Sequence, residues 1–156
     1  MARITLDGLR HTYSESGEAA AAYALKGLDL AFEDGGAYAL LGPSGCGKST
    51  LLNIISGLLT PSEGRVLFDE EDVTRATTSD RNIAQVFQFP VVYDTMSVRQ
   101  NIAFPLKNRG VRGPELDARV KAILELIGLE HVADRRARGL SADQKQKVSL
   151  GRGLVR

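Results

Sequence analysis

The chain has 156 residues, the length of one domain, and its 20 basic against 19 acidic residues leave a net charge of +1, which argues against a general nucleic-acid or membrane-surface binder. No apolar run approaches the roughly 20 residues that cross a bilayer, and Met1-Ala2-Arg3-Ile4 does not open a signal peptide. The single cysteine, Cys46, has no internal partner for a disulfide, so the expected compartment is the reducing cytoplasm.

Polar and apolar residues alternate in Arg3–Asp7, the pattern of a half-buried strand, with Tyr13 in the loop that follows. Ser14–Ala22 is small, polar and Ala-rich and reads as an exposed excursion. Alternation returns in Leu28–Phe32, and Glu33-Asp34-Gly35-Gly36 is a turn signal. The apolar run Ala37–Leu41 reads as a buried strand, and Leu51–Ser56 as a helix that begins near Lys48 and stops near Gly57. Thr60–Gly64 is a turn. Arg65–Asp69 suits a hairpin strand better than the metal-binding strand that apolar residues followed by Asp-Glu can mimic. Asn82–Phe87 reads as a further strand, ended by Phe89-Pro90. Two helical patterns follow, Ser97–Arg109 and Pro114–Ile127, the second with Leu116, Val120, Ile123, Leu124 and Ile127 on one face. After the charged link Asp134–Arg138, a helix is expected from Ser141, a good N-cap residue, still running at Arg156.

Between the Ala37–Leu41 run and the first helix lies Gly42-Pro43-Ser44-Gly45-Cys46-Gly47-Lys48-Ser49-Thr50, which matches G-x-x-x-x-G-K-[ST], the phosphate-binding loop. Gly42, Gly45 and Gly47 let backbone N–H groups turn inward with no Cβ in the way. The helix start adds unpaired N–H groups and the positive end of its dipole. Lys48 is expected to reach the β- and γ-phosphates, Ser49 to hold Mg²⁺, and Thr50 to donate to the α-phosphate. Cys46 fills a variable position, where a small residue is tolerated.

A phosphate loop alone does not choose among kinases, GTPases and ATPases. Phe87-Gln88 after a strand resembles the glutamine loop of ABC-transporter ATPases. Leu140-Ser141-Ala142-Asp143-Gln144, opening a basic helix, resembles a degenerate form of their Leu-Ser-Gly-Gly-Gln signature, and Tyr13 sits where that family places an aromatic residue to stack on adenine. Residues 82–88, 93–98 and 142–147 resemble the carbohydrate and polyol importer branch, in particular the ATPase subunits of bacterial glycerol importers.

The resemblance implies an α/β phosphate-loop NTPase fold of ABC type: an antiparallel β layer, a parallel sheet core that is incomplete here, and a helical subdomain. It divides the chain into a nucleotide-binding core (1–90), a helical subdomain (91–140) and the signature helix (141–156). It implies ATP and Mg²⁺ as cofactors. Tyr13, Gly42, Ser44, Gly45, Cys46, Gly47, Lys48, Ser49 and Thr50 would bind nucleotide, and Ser141 and Gln144 the γ-phosphate held by a second subunit. Lys48 and Gln88 would be catalytic, and Ser49 and Gln88 would contact the metal. The implied partners are a second ATPase subunit, permease subunits docked near Phe89–Met96 and, indirectly, a periplasmic solute-binding protein, with no nucleic acid. The implied location is cytoplasmic, on the inner face of the membrane. In this family the metal-binding Asp, the catalytic Glu and the switch His follow the signature helix, and His11 and His131 stand elsewhere. The chain is therefore expected to be a fragment that is inactive in hydrolysis by itself.

Other readings remain at this level: a non-transport ABC ATPase, a phosphate-loop kinase, or a nucleotide-binding regulatory subunit with little turnover. Asp143 keeps the last in view, because it replaces a signature glycine with a carboxylate beside the expected phosphate. Tyr13 competes with an ordinary half-buried tyrosine and with Tyr23. The basic residues from Arg135 to Arg156 read as a solvated face. Gly151 and Gly153 each cost a helix about 1 kcal/mol relative to Ala, a cost that close packing would explain.

Overall fold

Alternating side chains bury one face of a sheet and leave the other wet, and the N-terminal half of the chain forms a four-stranded sheet in which the first strand shows this pattern best. The computed structural model describes residues 2–14 and 23–155; most of the excursion expected at Ser14–Ala22 lies outside them. The strands are β1 (Ile4–Thr12), β2 (Tyr23–Phe32), β3 (Glu63–Phe68) and β4 (Glu71–Asp72), in the spatial order β2-β1-β3-β4, with every pairing antiparallel. Ile4 faces Phe32 on one side and Phe68 on the other. The expected hairpin at Arg65–Asp69 is β3 turning into β4, so Asp69 and Glu70 sit in its turn. Gly64 has φ +85°, and a Cβ there would lie 2.5 Å from the carbonyl oxygen of Gly8, so this crossing of β3 and β1 requires glycine.

Helix α1 (Lys48–Ser56) shares a core with the sheet: Leu51 and Ile54 pack with Leu6, Leu9, Leu25 and Val66. It ends at Gly57, whose left-handed conformation (φ 77°) lets the backbone turn back, with Leu58 N–H donating to Asn53 at 2.9 Å.

The chain divides into two compact units, Met1–Ile83 and Ala84–Arg156. The second is helical: α2 (Val98–Asn108), α3 (Gly113–Ile127) and α4 (Ala142–Leu154), joined by 3₁₀ turns at Glu130–Val132 and Ala137–Gly139. Its core is formed by residues such as Val98, Ile102, Leu106, Val120, Leu124 and Val148. Both α2 and α4 open with the same device. Ser97 accepts from Gln100 N–H at 3.1 Å while Gln100 Oε1 accepts from Ser97 N–H at 2.9 Å, and Ser141 and Gln144 do likewise at 3.2 and 3.1 Å. These are capping boxes, each satisfying two orphan N–H groups. Close packing also accounts for Gly151, where a Cβ would stand 3.0 Å from Ile123 and 3.1 Å from Ile127, and for Gly153, 3.2 Å from Val86.

Two expected strands are corrected. Ala37–Leu41 and Asn82–Phe87 carry no strand ladder, and Ala37–Leu41 is not buried: Leu41 is 92% exposed. A strand needs a hydrogen-bonded neighbour on at least one side, and among the described residues no strand lies beside either segment.

Candidate functional site

Gly42–Gly47 lead directly into α1, whose first residues, Lys48, Ser49 and Thr50, complete the nine-residue motif. Gly47 caps the helix in the left-handed region (φ 89°), and a Cβ there would meet the Ala24 carbonyl at 2.5 Å. The close approach of β2 to the loop thus requires glycine. Unlike α2 and α4, α1 has no side-chain cap. Its first N–H groups therefore have no side-chain acceptor, which is what an anion site at a helix start needs. Ser44, Gly45, Cys46 and Ser49 are exposed, and Thr50 is buried at 8% exposure.

Lys48 folds back over the loop. Its Nζ donates to the carbonyls of Gly42 at 2.8 Å and Pro43 at 2.7 Å and lies 3.3 Å from Cys46 Sγ. Gly42 leaves room for that thiol, since a Cβ on it would sit 2.7 Å from Sγ. The ammonium is thereby held at the rim of the loop.

Tyr13 is brought to the same place. Its hydroxyl lies 3.1 Å from Thr50 Oγ1, while 64% of the residue stays exposed, leaving ring surface free for a flat ligand. Tyr23, its competitor, instead directs its hydroxyl to Glu63 Oε1 at 3.4 Å. It lines a cleft of about 640 Å³ that includes Leu25, Leu28, Cys46 and Lys48.

The remaining expected residues belong to the second unit. Gln88 is exposed in a bend. The backbone around it is held from α4, with Gln146 Nε2 donating to the Phe87 carbonyl at 3.3 Å, Ser149 Oγ accepting from Val91 N–H at 3.4 Å, and Arg152 donating to the Val91 carbonyl. Arg152 also lies over the Tyr93 ring, 4.6 Å from its centroid. Lys145 pairs with Asp94 at 2.9 Å. Phe89–Met96 is thus a braced segment that exposes Phe89 (79%), Val91 and Tyr93. Ser141 and Gln144 are engaged with one another in the α4 cap, and Asp143 pairs with Lys147 at 3.5 Å.

Two residues outside the sequence reading organise these elements. Arg81, 4% exposed, donates to four backbone carbonyls around the end of α1. Burial draws its pKa below the ordinary arginine value, with the charge of Asp72 opposing that fall. Asn101, fully buried, accepts from Tyr93 N–H at 2.8 Å and donates to the carbonyls of Tyr93, Met96 and Ser97. Asn101 was detectable, because it is a polar residue one turn from Val98 on the apolar face of α2. Nothing in the run Asp80-Arg81-Asn82 marks Arg81.

A family model described as ABC transporter matches residues 25–156. The chain belongs to the ABC transporter family. Among curated relatives, this ABC chain is 42% identical over 156 residues to the sn-glycerol-3-phosphate import ATP-binding protein UgpC of Rhodopseudomonas palustris, covering all of this chain and 42% of that protein. It is 44% identical over 154 residues to the spermidine/putrescine import ATP-binding protein PotA of Frankia alni, covering 99% of this chain and 33% of that protein. The ABC chain therefore spans well under half the length of these relatives. Among solved structures, cbiO1 of Clostridium perfringens, part of the ABC transporter complex cbiONQ, matches with a TM-score of 0.85 at 32% identity, over 97% of this chain and 61% of that one. The ATP-binding cassette MJ0796, a dimer in a post-hydrolysis state bound to ADP and Pi, matches with a TM-score of 0.83 at 31% identity, over 97% and 69%. The α/β phosphate-loop fold of ABC type expected from the motifs is the fold of these cassettes.

No helix among the described residues is long and apolar enough to cross a membrane. Nor does any group of three or more His, Cys, Asp or Glu among them stand ready to hold a metal ion. The donor set of the ABC loop nevertheless fits Mg²⁺ brought by a nucleotide. That ion takes one or two protein oxygens and completes its shell with phosphate oxygens and water, and the exposed Ser49 offers such an oxygen.

Proposed function

We propose that the chain is the nucleotide-binding part of an ATP-driven importer subunit, taking Mg²⁺·ATP at Gly42–Thr50. The observation that carries this reading is the uncapped, glycine-lined start of α1 with the Lys48 ammonium held at its rim. On arrival of ATP, Lys48 exchanges two carbonyls for the β- and γ-phosphate oxygens. Loop N–H groups surround the β-phosphate, Thr50 donates to the α-phosphate, and Tyr13 offers adenine its ring. Ser49 would supply an oxygen to Mg²⁺, which when bound would offset charge on the phosphates. Gln88 would orient the attacking water or contact the metal.

In the assembled transporter a second ATPase subunit presents its own Ser141–Gln144 helix start to the γ-phosphate. The braced segment Phe89–Met96 meets a permease subunit on the cytoplasmic side of the membrane, and a periplasmic solute-binding protein delivers the solute. The exposed aromatic and apolar side chains of that segment, fixed by Asn101 and Arg152, suit an interface that must transmit force. Similarity to a glycerol-phosphate importer subunit supports a small polyol or its phosphate ester as solute, and similarity to a polyamine importer subunit makes a polyamine the competitor. Uptake of labelled sn-glycerol 3-phosphate and of spermidine, in cells carrying the wild type or Lys48→Ala, tests both levels. Lys48-dependent uptake of the first alone is expected. Uptake of spermidine alone overturns the solute, and uptake indifferent to Lys48 overturns the ATP-driven reading.

Asp143 favours one further reading, a nucleotide-binding subunit of low turnover, because its carboxylate sits in the first turn of α4. A higher ATPase rate of the assembled transporter on Asp143→Gly supports it, and an unchanged or lower rate removes it.

A further inference from the structure

We propose that His11 is a positioning residue for Tyr13, fixing the ring on which the base of the nucleotide stacks and so tuning affinity for the base and not for the phosphates. The proposal rests on the reading of Tyr13 as the stacking residue.

His11 has no part in the phosphate chemistry, yet it is placed with care. It is 6% exposed, near the end of β1, and its ring stands 4.7 Å from the Tyr13 ring with the two planes at 89°. Perpendicular aromatic pairs at this spacing are attractive, and their geometry is specific. Its Nδ1 lies 3.3 Å from Ser62 Oγ, and that hydroxyl accepts from Thr12 N–H at 3.2 Å. The imidazole is therefore tied through Ser62 to Thr12, the residue before Tyr13.

Its Nε2 is buried with no hydrogen-bond partner among the described residues. A buried nitrogen without a partner is unfavourable, and an apolar residue would suit stability at least as well. The ring contact is what His11 supplies in return. The β1–β2 register shifts between His11 and Thr12, so the ladder by itself does not set the direction of Tyr13. Two contacts do so: the His11 ring and the Tyr13 hydroxyl on Thr50 Oγ1 at 3.1 Å. Removing the first leaves Tyr13 tethered by a flexible hydroxyl contact and free to swing about it.

The test compares the affinity of the intact protein for Mg²⁺·ATP with its affinity for Mg²⁺·tripolyphosphate, which carries the phosphates without the base. His11→Leu is expected to weaken ATP about fivefold, the scale of one aromatic pair, and to leave tripolyphosphate unchanged. His11→Phe, which keeps a ring, is expected to restore ATP to within about twofold. Tyr13→Ala is expected to weaken ATP more, and the double variant His11→Leu/Tyr13→Ala no further. Equal losses for ATP and tripolyphosphate, or no rescue by His11→Phe, overturn the positioning role. Should His11→Leu fail to fold, His11→Gln, polar but without a ring, takes its place with the same expectations. If Tyr13→Ala leaves ATP affinity intact, the stacking reading itself falls. If Tyr13→Ala weakens ATP and neither ring-free variant does, the role of His11 alone falls.

Discussion

Arg81 and Ile54 are joined by a 2.6 Å hydrogen bond from guanidinium Nη1 to the backbone carbonyl, at the end of α1 opposite the phosphate loop. The same guanidinium reaches the carbonyls of Ile55 at 2.9 Å, Thr74 at 3.0 Å and Ala76 at 3.1 Å. A cation at a helix C-terminus meets the negative end of the dipole and satisfies carbonyls that have no partner within the helix. Gly57 makes room for it, since a Cβ there would lie 2.8 Å from Arg81 Nε. Arg81→Leu is expected to lower stability by about 3 kcal/mol, because buried carbonyls lose a charged donor. Arg81→Lys should recover little, because one ammonium cannot span four carbonyls. Urea denaturation of the nucleotide-free protein measures both, and a loss below about 0.5 kcal/mol for Arg81→Leu contradicts this account.

Asp72 gives the β3–β4 hairpin a pH dependence. Its Oδ1 accepts from Thr74 Oγ1 at 2.6 Å and from Thr74 N–H at 2.9 Å, and Thr74 Oγ1 accepts in turn from Val66 N–H at 2.9 Å. These bonds, the side-chain one first, hold the carboxyl below its usual range. A depressed folded-state pKa stabilises the fold above the unfolded value, about 3.9, and that stabilisation is lost as pH falls through the folded value. Acid loosening of the hairpin below about pH 4 is expected, and Asp72→Asn should flatten that limb of the stability profile. An unchanged acid limb in Asp72→Asn contradicts the assignment.

The contrast between these two residues shows what the sequence made legible. Helix limits were readable where local chemistry sets them: Ser97 and Ser141 were visible as starts, and Gly57 as a stop. The loop from Gly42 to Thr50 stood out because its glycines and lysine fall at the fixed spacing of one motif. Ala37–Leu41 was misread, because an apolar run states a preference for burial and the partner that covers it is a matter of tertiary structure. Arg81 was invisible for the same reason, since its partners at Ile54 and Ile55 lie 27 and 26 residues away. Asn101 was readable in principle as a polar residue on an apolar face, and only its contacts explain it.

Gly151 tests the packing of α4. Alanine gains about 1 kcal/mol of helix propensity but must push back Ile123 Cγ2 and Ile127 Cδ1, 3.0 and 3.1 Å from its Cβ position. The Ile127 end shifts by tenths of an ångström at modest cost, while Ile123 Cγ2 sits on a stiff β-branch, so the two effects nearly cancel and Gly151→Ala should fall within about 1 kcal/mol of the wild type, whereas Gly151→Val should lose about 2 kcal/mol to overpacking. Thermal denaturation reads both, and a stabilising Gly151→Val rules out the close packing.

Cys46 is an exposed thiol in the wall of the loop, 3.3 Å from Lys48 Nζ. A bulky maleimide there crowds the path of Lys48 toward phosphate. Complete labelling should abolish Mg²⁺·ATP binding, and bound ATP should protect the thiol from the reagent. Undiminished ATP binding by fully labelled protein contradicts this placement.

The central claim is that Gly42–Thr50 binds the phosphates of a nucleotide with Lys48 as the mobile charge. Titration of the wild type and Lys48→Ala with Mg²⁺·ATP tests it most directly. Loss of one point charge on phosphate in a partly enclosed loop predicts a weakening of about 30-fold or more in Lys48→Ala, on the scale of a charge-assisted bond, with the thermal stability of the ligand-free protein little changed. Equal affinity of the two proteins for Mg²⁺·ATP, or no binding by the wild type, would contradict it.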